Sequence, residues 1–257
     1  MWGAVIGDLA GSIYEFEQTK EIKEIYVNNL IKNNSFYSDD TILTIAILDA
    51  MISDKNFEGK LKYYTNKYKY YKPDHKPYFK NTFSSNYLKW VNSNEIGNSK
   101  GNGALMRISP IGYLAKSKTE LLLYSYFATY PSHNSFEAIY YSTLISKIIY
   151  LANHGVSKEE IISLLNIKYD YIPFDKFNIT CSETINNCLY ALFESNSYEE
   201  AVSKVISFGG DTDTNGAIVG SMAESLYGLD TELIMKAKEK IPEEFTKKLI
   251  NAYSKIK

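Results

Sequence analysis

Two short acidic clusters constrain this chain more than any other feature of its sequence. They read SDDT at 38–41 and DTDT at 211–214, and each opens an apolar helical run rich in small residues. Carboxylates with neighbouring hydroxyls at two helix starts supply the oxygen donors, negative charge and rigid platform that a hard divalent cation requires. The free N–H groups and the dipole of a helix N-terminus also favour acidic side chains there. The pair of clusters therefore predicts a metal site built on the starts of two helices.

Each cluster also has an interpretation that involves no metal. Ser and Asp are the commonest N-cap residues, so either cluster alone is typical of an ordinary helix start. The second cluster matches the first half of an EF-hand loop, but Met222 stands at the twelfth position, where that loop requires a bidentate glutamate. Aspartyl-phosphate phosphatases place a D-x-D pattern after a buried strand, whereas residues 201–208 have a helical period. The occurrence of both clusters, the second preceded by FGG at 208–210, favours a metal site.

Composition and charge place the chain among ordinary soluble globular proteins. It has 257 residues, 45% of them apolar and 23% charged, which is enough for one large core, and nothing in the sequence divides it. We therefore expect residues 1–257 to form a single domain. The formal net charge of −2 provides no basic patch for nucleic acid, although a nucleic-acid substrate is not excluded.

Targeting and redox features predict a reduced, cytoplasmic protein with no membrane contact. The first four residues lead directly into a motif, which leaves no room for a signal peptide, and no apolar run reaches membrane-spanning length. Cys181 and Cys188 are seven residues apart on a predicted helix, so their Cα atoms would lie roughly 10 Å apart, too far for a disulfide. With these two cysteines and three scattered histidines, a structural zinc site is not expected.

Helical periodicity predominates along the chain, and no run of alternating strand residues with hairpin turns is present. We expect a single compact all-α fold. Ser135 is predicted to cap one helix, which NHG at 153–155 ends, and Ser157 with Glu160 forms a capping box. Residues 55–76, rich in Lys and Tyr, are predicted to form a solvated helix followed by a loop. Further helices are predicted at 42–52, 79–91, 120–130, 136–152, 182–193, 198–208, 215–227, 232–240 and 243–256.

The N-terminal segment carries glycines at positions 3, 7 and 11, which line one helix face and permit close packing or the close approach of a ligand. The helix predicted at 215–227 is also rich in small residues and is therefore expected to be central and buried. Glu15 follows the first segment, between two aromatic residues. It is either a solvated glutamate at a helix end or, in an apolar setting near metal, a carboxylate that transfers protons.

A further motif, GNGALMR at 101–107, is a loop rich in Gly and Asn that runs into a helix. Such a loop can present backbone N–H groups to phosphate oxygens, although by itself it could be an ordinary turn. Arg107, the only arginine of the chain, indicates a place where lysine would not serve, such as a bidentate contact or a brace for the acidic centre. His133 is either a structural histidine or a ligand contact.

Taken in order, these motifs resemble those of the ADP-ribosylglycohydrolase family, whose members include the hydrolase that reactivates ADP-ribosylated dinitrogenase reductase. The resemblance extends over almost the whole chain. It includes G-D-x-x-G-S-x-Y-E at 7–15, S-D-D-T at 38–41, G-N-G-A-x-M-R at 101–107, S-H at 132–133 and G-G-D-T-D-T at 209–214. The sequence departs from the family's pattern in two places: Ser38 stands where many members have Thr, and SHNSF at 132–136 replaces a stretch like T-H-x-H-P.

The resemblance implies an orthogonal all-α helical bundle with a binuclear centre of Mg²⁺ or Mn²⁺. The positions that match the family's metal ligands are Ser38, Asp39, Asp40, Asp211, Asp213 and Thr214. Glu15 matches the family's catalytic glutamate, and Asp39 and Asp40 are the next candidates for the base. The positions that match the ADP-ribose pocket are Ser99, Gly101, Asn102 and Gly103, around the diphosphate, and His133.

The implied activity is metal-dependent hydrolysis of the glycosidic bond at C1 of the distal ribose of ADP-ribose, with an ADP-ribosylated protein or a related acceptor as substrate. Two alternatives stay open: hydrolysis of a small derivative such as O-acetyl-ADP-ribose, and a catalytically silent protein that binds ADP-ribose. The retained residue types at Glu15 and at the six ligand positions argue against the silent protein. The acceptor could be arginine, serine, a nucleobase or an acyl group, and that choice depends on loops such as 63–83.

Overall fold

The computed structural model describes residues 1–15, 29–73, 82–174 and 176–256. Within these ranges the fold is all-α, as predicted, and β-pairing is limited to isolated bridges that join Asn98 to His133 and Gly101 to Thr180. The helices are α1 (Trp2–Gly11), α2 (Asp39–Ile52), α3 (Phe57–Tyr68), α4 (Ser85–Val91), α5 (Gly103–Met106), α6 (Ser109–Leu114), α7 (Lys118–Thr129), α8 (Phe136–Asn153), α9 (Lys158–Leu164), α10 (Cys181–Phe193), α11 (Tyr198–Ser207), α12 (Thr212–Tyr227), α13 (Thr231–Lys238) and α14 (Glu243–Tyr253).

Local sequence signals fix several helix starts. Ser38 caps α2, where its side chain accepts a hydrogen bond from the backbone N–H of Asp40. Ser135 caps α8 in the same manner. Ser157 and Glu160 form the predicted capping box at the start of α9. These caps satisfy N–H groups that have no partner inside the helix, so a short polar residue before an apolar run is enough to predict the start.

Two predicted helices differ from the observed ones. The helix predicted at 79–91 begins outside the described residues, and its described part is α4. The helix and loop predicted at 55–76 are observed as α3 and the residues after it up to 73, the last of this stretch that the structure describes; the helix is not simply solvated, because Phe57, Leu61 and Tyr64 are buried. These three residues follow one another at intervals of four and three, so they share one face of the helix.

The apolar core extends through most of the described helices, and α1, α2 and α12 are almost fully buried within it. The burial of α12 confirms that the helix rich in small residues is central. Cys181 and Cys188 both lie in α10, buried and free of a disulfide, which agrees with their spacing. Among the helices of the described ranges, none combines the length and apolar character that crossing a membrane requires.

Glycines bring α1 and α12 into backbone contact along what we call the α1–α12 seam. The helices are antiparallel, so that Gly3, Gly7 and Gly11 of α1 lie opposite Gly220, Gly216 and Thr212 of α12. A Cβ atom built on Gly7 would lie 2.0 Å from the carbonyl oxygen of Gly216, so no side chain fits there. The sequence predicted a close approach for each helix separately. The structure shows that the two faces pack on each other.

The α1–α12 seam determines where three helix ends meet. The C-terminal end of α1 lies beside the N-terminal end of α12, and the hydroxyl of Thr212 donates to the carbonyl oxygen of Gly11 at 2.9 Å. The start of α2 is tied to the same place by Asp8, whose carboxylate accepts hydrogen bonds from the backbone N–H groups of Ser38 and Thr41 at 2.9 and 3.1 Å. Both acidic clusters of the sequence are thereby brought to one end of the seam.

Candidate active site

Acidic side chains are concentrated at this end of the α1–α12 seam, in a group that we call the carboxylate centre. Its members are Asp8, Glu15, Asp39, Asp40, Asp211 and Asp213. Asp39 is half-buried, and the other members are at most 8% exposed. Burying several carboxylates together is unfavourable unless hydrogen bonds or positive charge compensate them. The partners of each carboxylate therefore decide what the site can bind.

Asp8 organises the start of α2, a role that the sequence did not predict. Its Oδ2 atom accepts a hydrogen bond from the hydroxyl of Thr41 in addition to those from the α2 backbone. Its Oδ1 atom is buried and has no hydrogen-bond partner in the described part of the chain. Burial, followed by the charge of Asp213, raises the pKa of Asp8 to about 7. Its place in the G-D-x-x-G-S-x-Y-E motif at 7–15, which also contains Glu15, is the signal that could have identified it.

The first acidic cluster is held by hydroxyl groups. The hydroxyl of Ser38 donates to Oδ2 of Asp40 at 3.1 Å. The same oxygen of Asp40 accepts a hydrogen bond from the hydroxyl of Thr214 at 3.3 Å, which joins the two clusters directly. Asp40 is 2% exposed, whereas Asp39 is half-buried at the edge of the site. The two adjacent aspartates therefore lie in different surroundings, one inside the carboxylate centre and one at its border.

The second acidic cluster occupies the first turn of α12. Asp211 is the N-cap residue of this helix, and Oδ1 of Asp213 accepts a hydrogen bond from the backbone N–H of Thr214 at 2.9 Å. All three side chains are buried. The structure thus places the three ligand positions predicted at this end of the chain on one turn, in contact with Asp40 of the first cluster.

Glu15 lies inside the carboxylate centre. One carboxylate oxygen from each of Glu15, Asp211 and Asp213 lies within 4.8 Å of the others. Glu15 is 8% exposed, which rules out a solvated glutamate at a helix end, and its Oε2 atom has no hydrogen-bond partner among the described residues. The structure therefore groups Glu15 with Asp211 and Asp213 in a buried carboxylate cluster.

Burial and mutual repulsion oppose ionisation of these side chains. Burial raises the pKa of Glu15 to about 12, and the neighbouring charges, Asp213 and then Asp211 the largest, add to the shift. Burial, followed by the charge of Asp213, likewise raises the pKa values of Asp39, Asp40 and Asp211 well above the ordinary value. Positive charge placed among them would act in the opposite direction, because it stabilises the ionised form.

The donor atoms of the centre fit a hard divalent cation. Its lining groups are carboxylate and hydroxyl oxygens, the ligands preferred by Mg²⁺ and Mn²⁺. Three buried carboxylate oxygens, Oδ1 of Asp8, Oε2 of Glu15 and Oδ1 of Asp40, have no hydrogen-bond donor within the described residues. Buried polar atoms in proteins are nearly always paired. These oxygens are therefore the ones that a cation would satisfy.

Buried amides hold Asp211 from the other side, and the sequence predicted little of this arrangement. Asn102 donates from Nδ2 to Oδ2 of Asp211 at 2.7 Å, and Oδ1 of Asn178 accepts a hydrogen bond from the backbone N–H of Asp211 at 2.8 Å. Asn178 also donates to Oδ1 of Asn215 at 2.9 Å. Nothing in the sequence distinguishes Asn178 from other asparagines, because its partners at Asp211 and Asn215 are 33 and 37 residues away along the chain.

The loop at 97–103, which we call the glycine-rich loop, is fastened on two sides by backbone hydrogen bonds. Gly97 donates to the carbonyl oxygen of Pro131 at 2.8 Å, and Asn102 donates to that of Ile179 at 2.9 Å. The side chain of Ser99 is exposed, and its hydroxyl accepts a hydrogen bond from the backbone N–H of Gly101 at 3.0 Å. Together with the contact between Asn102 and the carboxylate centre, these bonds hold the loop rigidly beside the acidic side chains.

His133 lies over the two glycines of this loop. A Cβ atom built on Gly101 would lie 3.6 Å from Nε2 of His133, and one built on Gly103 would lie 3.7 Å from it. On the other side of the ring, Nδ1 lies 2.7 Å from the hydroxyl oxygen of Ser132. Burial, followed by the charge of Arg107, holds the pKa of His133 well below its ordinary range, so the ring is neutral. The structure thus brings His133 and the predicted loop side by side.

The protein is therefore an all-α protein with an oxygen-donor site. The site is the carboxylate centre, which lies where three helix ends meet, and the glycine-rich loop is held beside it. The chain belongs to the ADP-ribosylglycohydrolase family, whose sequence model matches residues 1–256. The family's name states the class of reaction, which is hydrolysis of a glycosidic bond to ADP-ribose.

Comparison with individual proteins agrees with this assignment. The chain is 23% identical over 265 residues to the ADP-ribosylarginine hydrolase Tri1 of Pseudomonas putida (strain GB-1), and the match covers 88% of this chain and 69% of that protein. It is also similar to a solved structure described as an ADP-ribosylglycohydrolase-related protein complex. That match has a TM-score of 0.75 and 18% identity, and it covers 99% of this chain and 95% of the other. At this identity the structural match establishes the fold alone.

Proposed function

We propose that this chain is a hydrolase that depends on divalent cations and cleaves the bond between C1 of the distal ribose of ADP-ribose and an acceptor group. Removal of ADP-ribose by hydrolysis follows from the family. The observation that carries the cation dependence is the carboxylate centre, where three buried oxygens lack donors within the described residues. Arginine is the first acceptor to test, because the matched Tri1 protein is named as an ADP-ribosylarginine hydrolase.

The proposed cation ligands are the positions predicted from the resemblance, and Glu15 is close enough to two of them to take part. Those positions are Ser38, Asp39, Asp40, Asp211, Asp213 and Thr214. Two divalent cations and Arg107 would bring five positive charges to six carboxylates, which nearly balances the carboxylate centre. When bound, Mg²⁺ or Mn²⁺ supplies Lewis acidity at the ribose oxygens and lowers the pKa of a water molecule.

Glu15 is proposed to carry the proton in the reaction. In hydrolysis, a water oxygen forms a bond to C1 while the bond from C1 to the acceptor nitrogen breaks. The proton lost by the water passes to Glu15 and from there to the departing nitrogen, so the carboxylate is unchanged at the end. Glu15 suits this role because Oε2 is buried in the carboxylate centre with no partner among the described residues. Asp39 and Asp40 are the next candidates.

The loop at 99–103 is proposed to bind the diphosphate. The absence of side chains at Gly101 and Gly103 lets phosphate oxygens approach the backbone, and Nε2 of His133 lies over the same place. The exposed hydroxyl of Ser99 is available at the border of the loop. The side chain of Asn102 is already bound to Asp211, so we assign it to positioning that carboxylate, while its neighbours contact the phosphate.

The proposal is tested by turnover of a peptide that carries ADP-ribosylated arginine. We expect release of free ADP-ribose with Mg²⁺ or Mn²⁺, loss of activity with EDTA, and recovery when either ion is restored. Full activity of metal-stripped protein would overturn the cation dependence.

Parallel assays use an ADP-ribosylserine peptide, an ADP-ribosylated nucleic acid and O-acetyl-ADP-ribose. Binding of ADP-ribose without turnover of any of these would identify the silent alternative, and turnover of O-acetyl-ADP-ribose alone would identify the small-molecule hydrolase.

Two variants make the same chemical change at a buried and an exposed helix start, and so serve as a matched pair. Asp40→Asn removes one charge from the carboxylate centre, where Asp40 is 2% exposed. Asp230→Asn changes the exposed N-cap of α13, and Asn caps a helix about as well as Asp. We expect Asp40→Asn to lose activity at ordinary magnesium concentrations and Asp230→Asn to keep it.

A further inference from the structure

Arg107, the only arginine of the chain, is buried between the glycine-rich loop and α6. It is 1% exposed and forms no ion pair with any residue that the structure describes. Its Nη2 atom donates to the hydroxyl oxygen of Ser132 at 2.7 Å, and longer contacts of 3.5 Å reach the Tyr87 hydroxyl and the Ala128 carbonyl oxygen. Burying a guanidinium among neutral partners is unfavourable by itself. The role of Arg107 therefore lies in its effect on the groups that it contacts.

The contact with Arg107 sets the direction of the Ser132 hydroxyl. Ser132 is 2% exposed, and its oxygen accepts the hydrogen bond from Arg107, so its own proton must point to a different atom. The acceptor within reach is Nδ1 of His133, 2.7 Å away. Because a guanidinium donates hydrogen bonds and never accepts them, the bonds run in one order, from Arg107 to Ser132 to His133.

This order decides which nitrogen of His133 carries the ring proton. A proton on Nδ1 would leave the buried Ser132 hydroxyl without this acceptor for its own proton, and it would face Nη2 of Arg107, which is 3.5 Å away and can only donate. The proton of the neutral ring is therefore on Nε2. Nε2 is also the atom that lies over the two glycines of the loop. A ligand oxygen in the space that their missing side chains leave would lie within reach of this N–H group.

We propose that Arg107, acting through Ser132, holds His133 as the neutral Nε2–H tautomer. In this form the ring donates a hydrogen bond to a phosphate oxygen bound over the glycines of the loop. Arg107 is therefore a positioning residue, and the single nitrogen of a lysine could not replace it, because the contacts to Tyr87 and to Ser132 come from two different guanidinium nitrogens. The identification of this oxygen as part of the ADP-ribose diphosphate rests on the proposed function, whereas the tautomer itself does not.

The tautomer can be read from the ¹⁵N chemical shifts of the imidazole ring, measured by NMR without any ligand. A His133→Gln variant assigns the His133 signals among the three histidines of the chain. In the unaltered protein we expect an unprotonated Nδ1 and a protonated Nε2. Arg107→Met keeps the bulk of the side chain and removes the donor, so we expect a mixture of tautomers or protonation of the ring near neutral pH.

Two NMR results would overturn the proposal. One is a protonated Nδ1 in the unaltered protein, and the other is an Arg107→Met spectrum in which the His133 signals are unchanged. The first measurement needs no variant, so the proposal can be refuted even if Arg107→Met does not fold. Because no substrate is used, the result also stands apart from the proposed function, which turnover assays decide.

The donor role of His133 is tested by a matched pair of substitutions and calorimetry with ADP-ribose in magnesium. Gln places its amide group near the position of Nε2, whereas the shorter Asn places it near that of Nδ1. We expect His133→Gln to bind within a few fold of the unaltered protein. His133→Asn should lose about 10- to 100-fold in affinity, as expected for a hydrogen bond to a charged group. An equal loss in the two variants would contradict a directed Nε2–H donor.

Discussion

The α1–α12 seam and the carboxylate centre adjoin each other, since the centre lies where the start of α2 meets one end of the seam, yet opposite forces act in the two regions. Along the seam, backbones touch so closely that a Cβ on Gly7 would lie 2.0 Å from the Gly216 carbonyl oxygen. At the end of the seam, buried carboxylates repel one another, and Oδ1 of Asp40 and Oε2 of Glu15 lack donors within the described residues. Apolar contact and shape stabilise the first region, whereas the second depends on hydrogen bonds to its carboxylates and on the positive charge that binds there.

This difference explains why the two regions are adjacent. A group of like charges does not hold its own geometry, so a rigid element must hold it. Glycine contact fixes the C-terminal end of α1 against the N-terminal end of α12, and the hydrogen bond from Thr212 to Gly11 closes that end. The seam should therefore respond to neither cations nor pH, while the carboxylate centre should respond to both.

The largest expected effect is on catalysis, from Glu15→Gln in the carboxylate centre. Gln is nearly isosteric with Glu and cannot take up or release the proton, so turnover of ADP-ribosylated arginine peptide should fall by about 10²- to 10⁴-fold. Affinity for ADP-ribose in magnesium, measured by calorimetry, should change little. The Mn²⁺ affinity of the variant shows whether Glu15 also holds the cation. Turnover near that of the unaltered protein would assign proton transfer to Asp39 or Asp40.

In the seam, Gly7→Ala should lower the free energy of unfolding by about 3 kcal/mol, because the added methyl group meets backbone atoms that cannot rotate away. Urea unfolding should give the same loss in magnesium and in EDTA. Gly155→Ala, just after the end of α8, is the matched control: its Cβ would meet nothing within 4 Å, so only its φ of +78° opposes the substitution, at about 1 kcal/mol. Equal losses at the two positions would show that the seam is not tightly packed.

Asp211→Asn should act with a sign that depends on the buffer. In EDTA it removes one of several repelling charges, so the melting temperature should rise or stay constant. In magnesium at about 100 times Kd, the loss of cation binding should cost roughly 2–3 kcal/mol of folding free energy. Thermal unfolding in both buffers, with Asp230→Asn as a surface control, measures the difference. A shift of the same sign and size in both buffers would show that Asp211 acts without a bound cation.

The sequence was sufficient to predict those parts of the fold that depend on local chemistry. The cap at Ser38, the capping box of Ser157 with Glu160 and the helical spacing of the two cysteines each involve neighbours within one or two turns. The close approach of α1 and of α12 was also predicted from their small residues. The sequence did not predict that α1 and α12 pack against each other, because the pairing of two helix faces from opposite ends of the chain is a property of the tertiary fold.

The same distinction applies to the site. Clustered residues such as Asp39 and Asp40 were assigned to it because a second acidic cluster occurs at 211–214 and because both residues match ligand positions of the family, whereas one cluster alone is typical of an ordinary helix start. Asp8 and Asn178 are single polar residues, and their importance appears only when Asp8 is seen to hold the start of α2 and Asn178 to hold Asp211. The proton position on His133 likewise depends on Arg107, which is 26 residues away along the chain.

The smallest expected effect, taken per pH unit, is the pH dependence of stability, which Asp8→Asn isolates. The pKa of Asp8 is raised from 3.8 to about 7 on folding, mainly by burial, so between these values the folded state keeps a proton that the unfolded state has lost. Stability in EDTA must therefore fall as pH rises through this window, by at most about 1.4 kcal/mol per pH unit for one group. Asn cannot titrate, so urea unfolding of Asp8→Asn should show a shallower fall in stability with pH, while Gly7→Ala should keep the full slope.

With saturating magnesium, stability should instead rise with pH, because the cation binds the ionised carboxylates and protonation competes with it. A slope that is the same in Asp8→Asn and in the unaltered protein would mean that Asp8 stays ionised in the fold and that its hydrogen bonds to the start of α2 outweigh its burial.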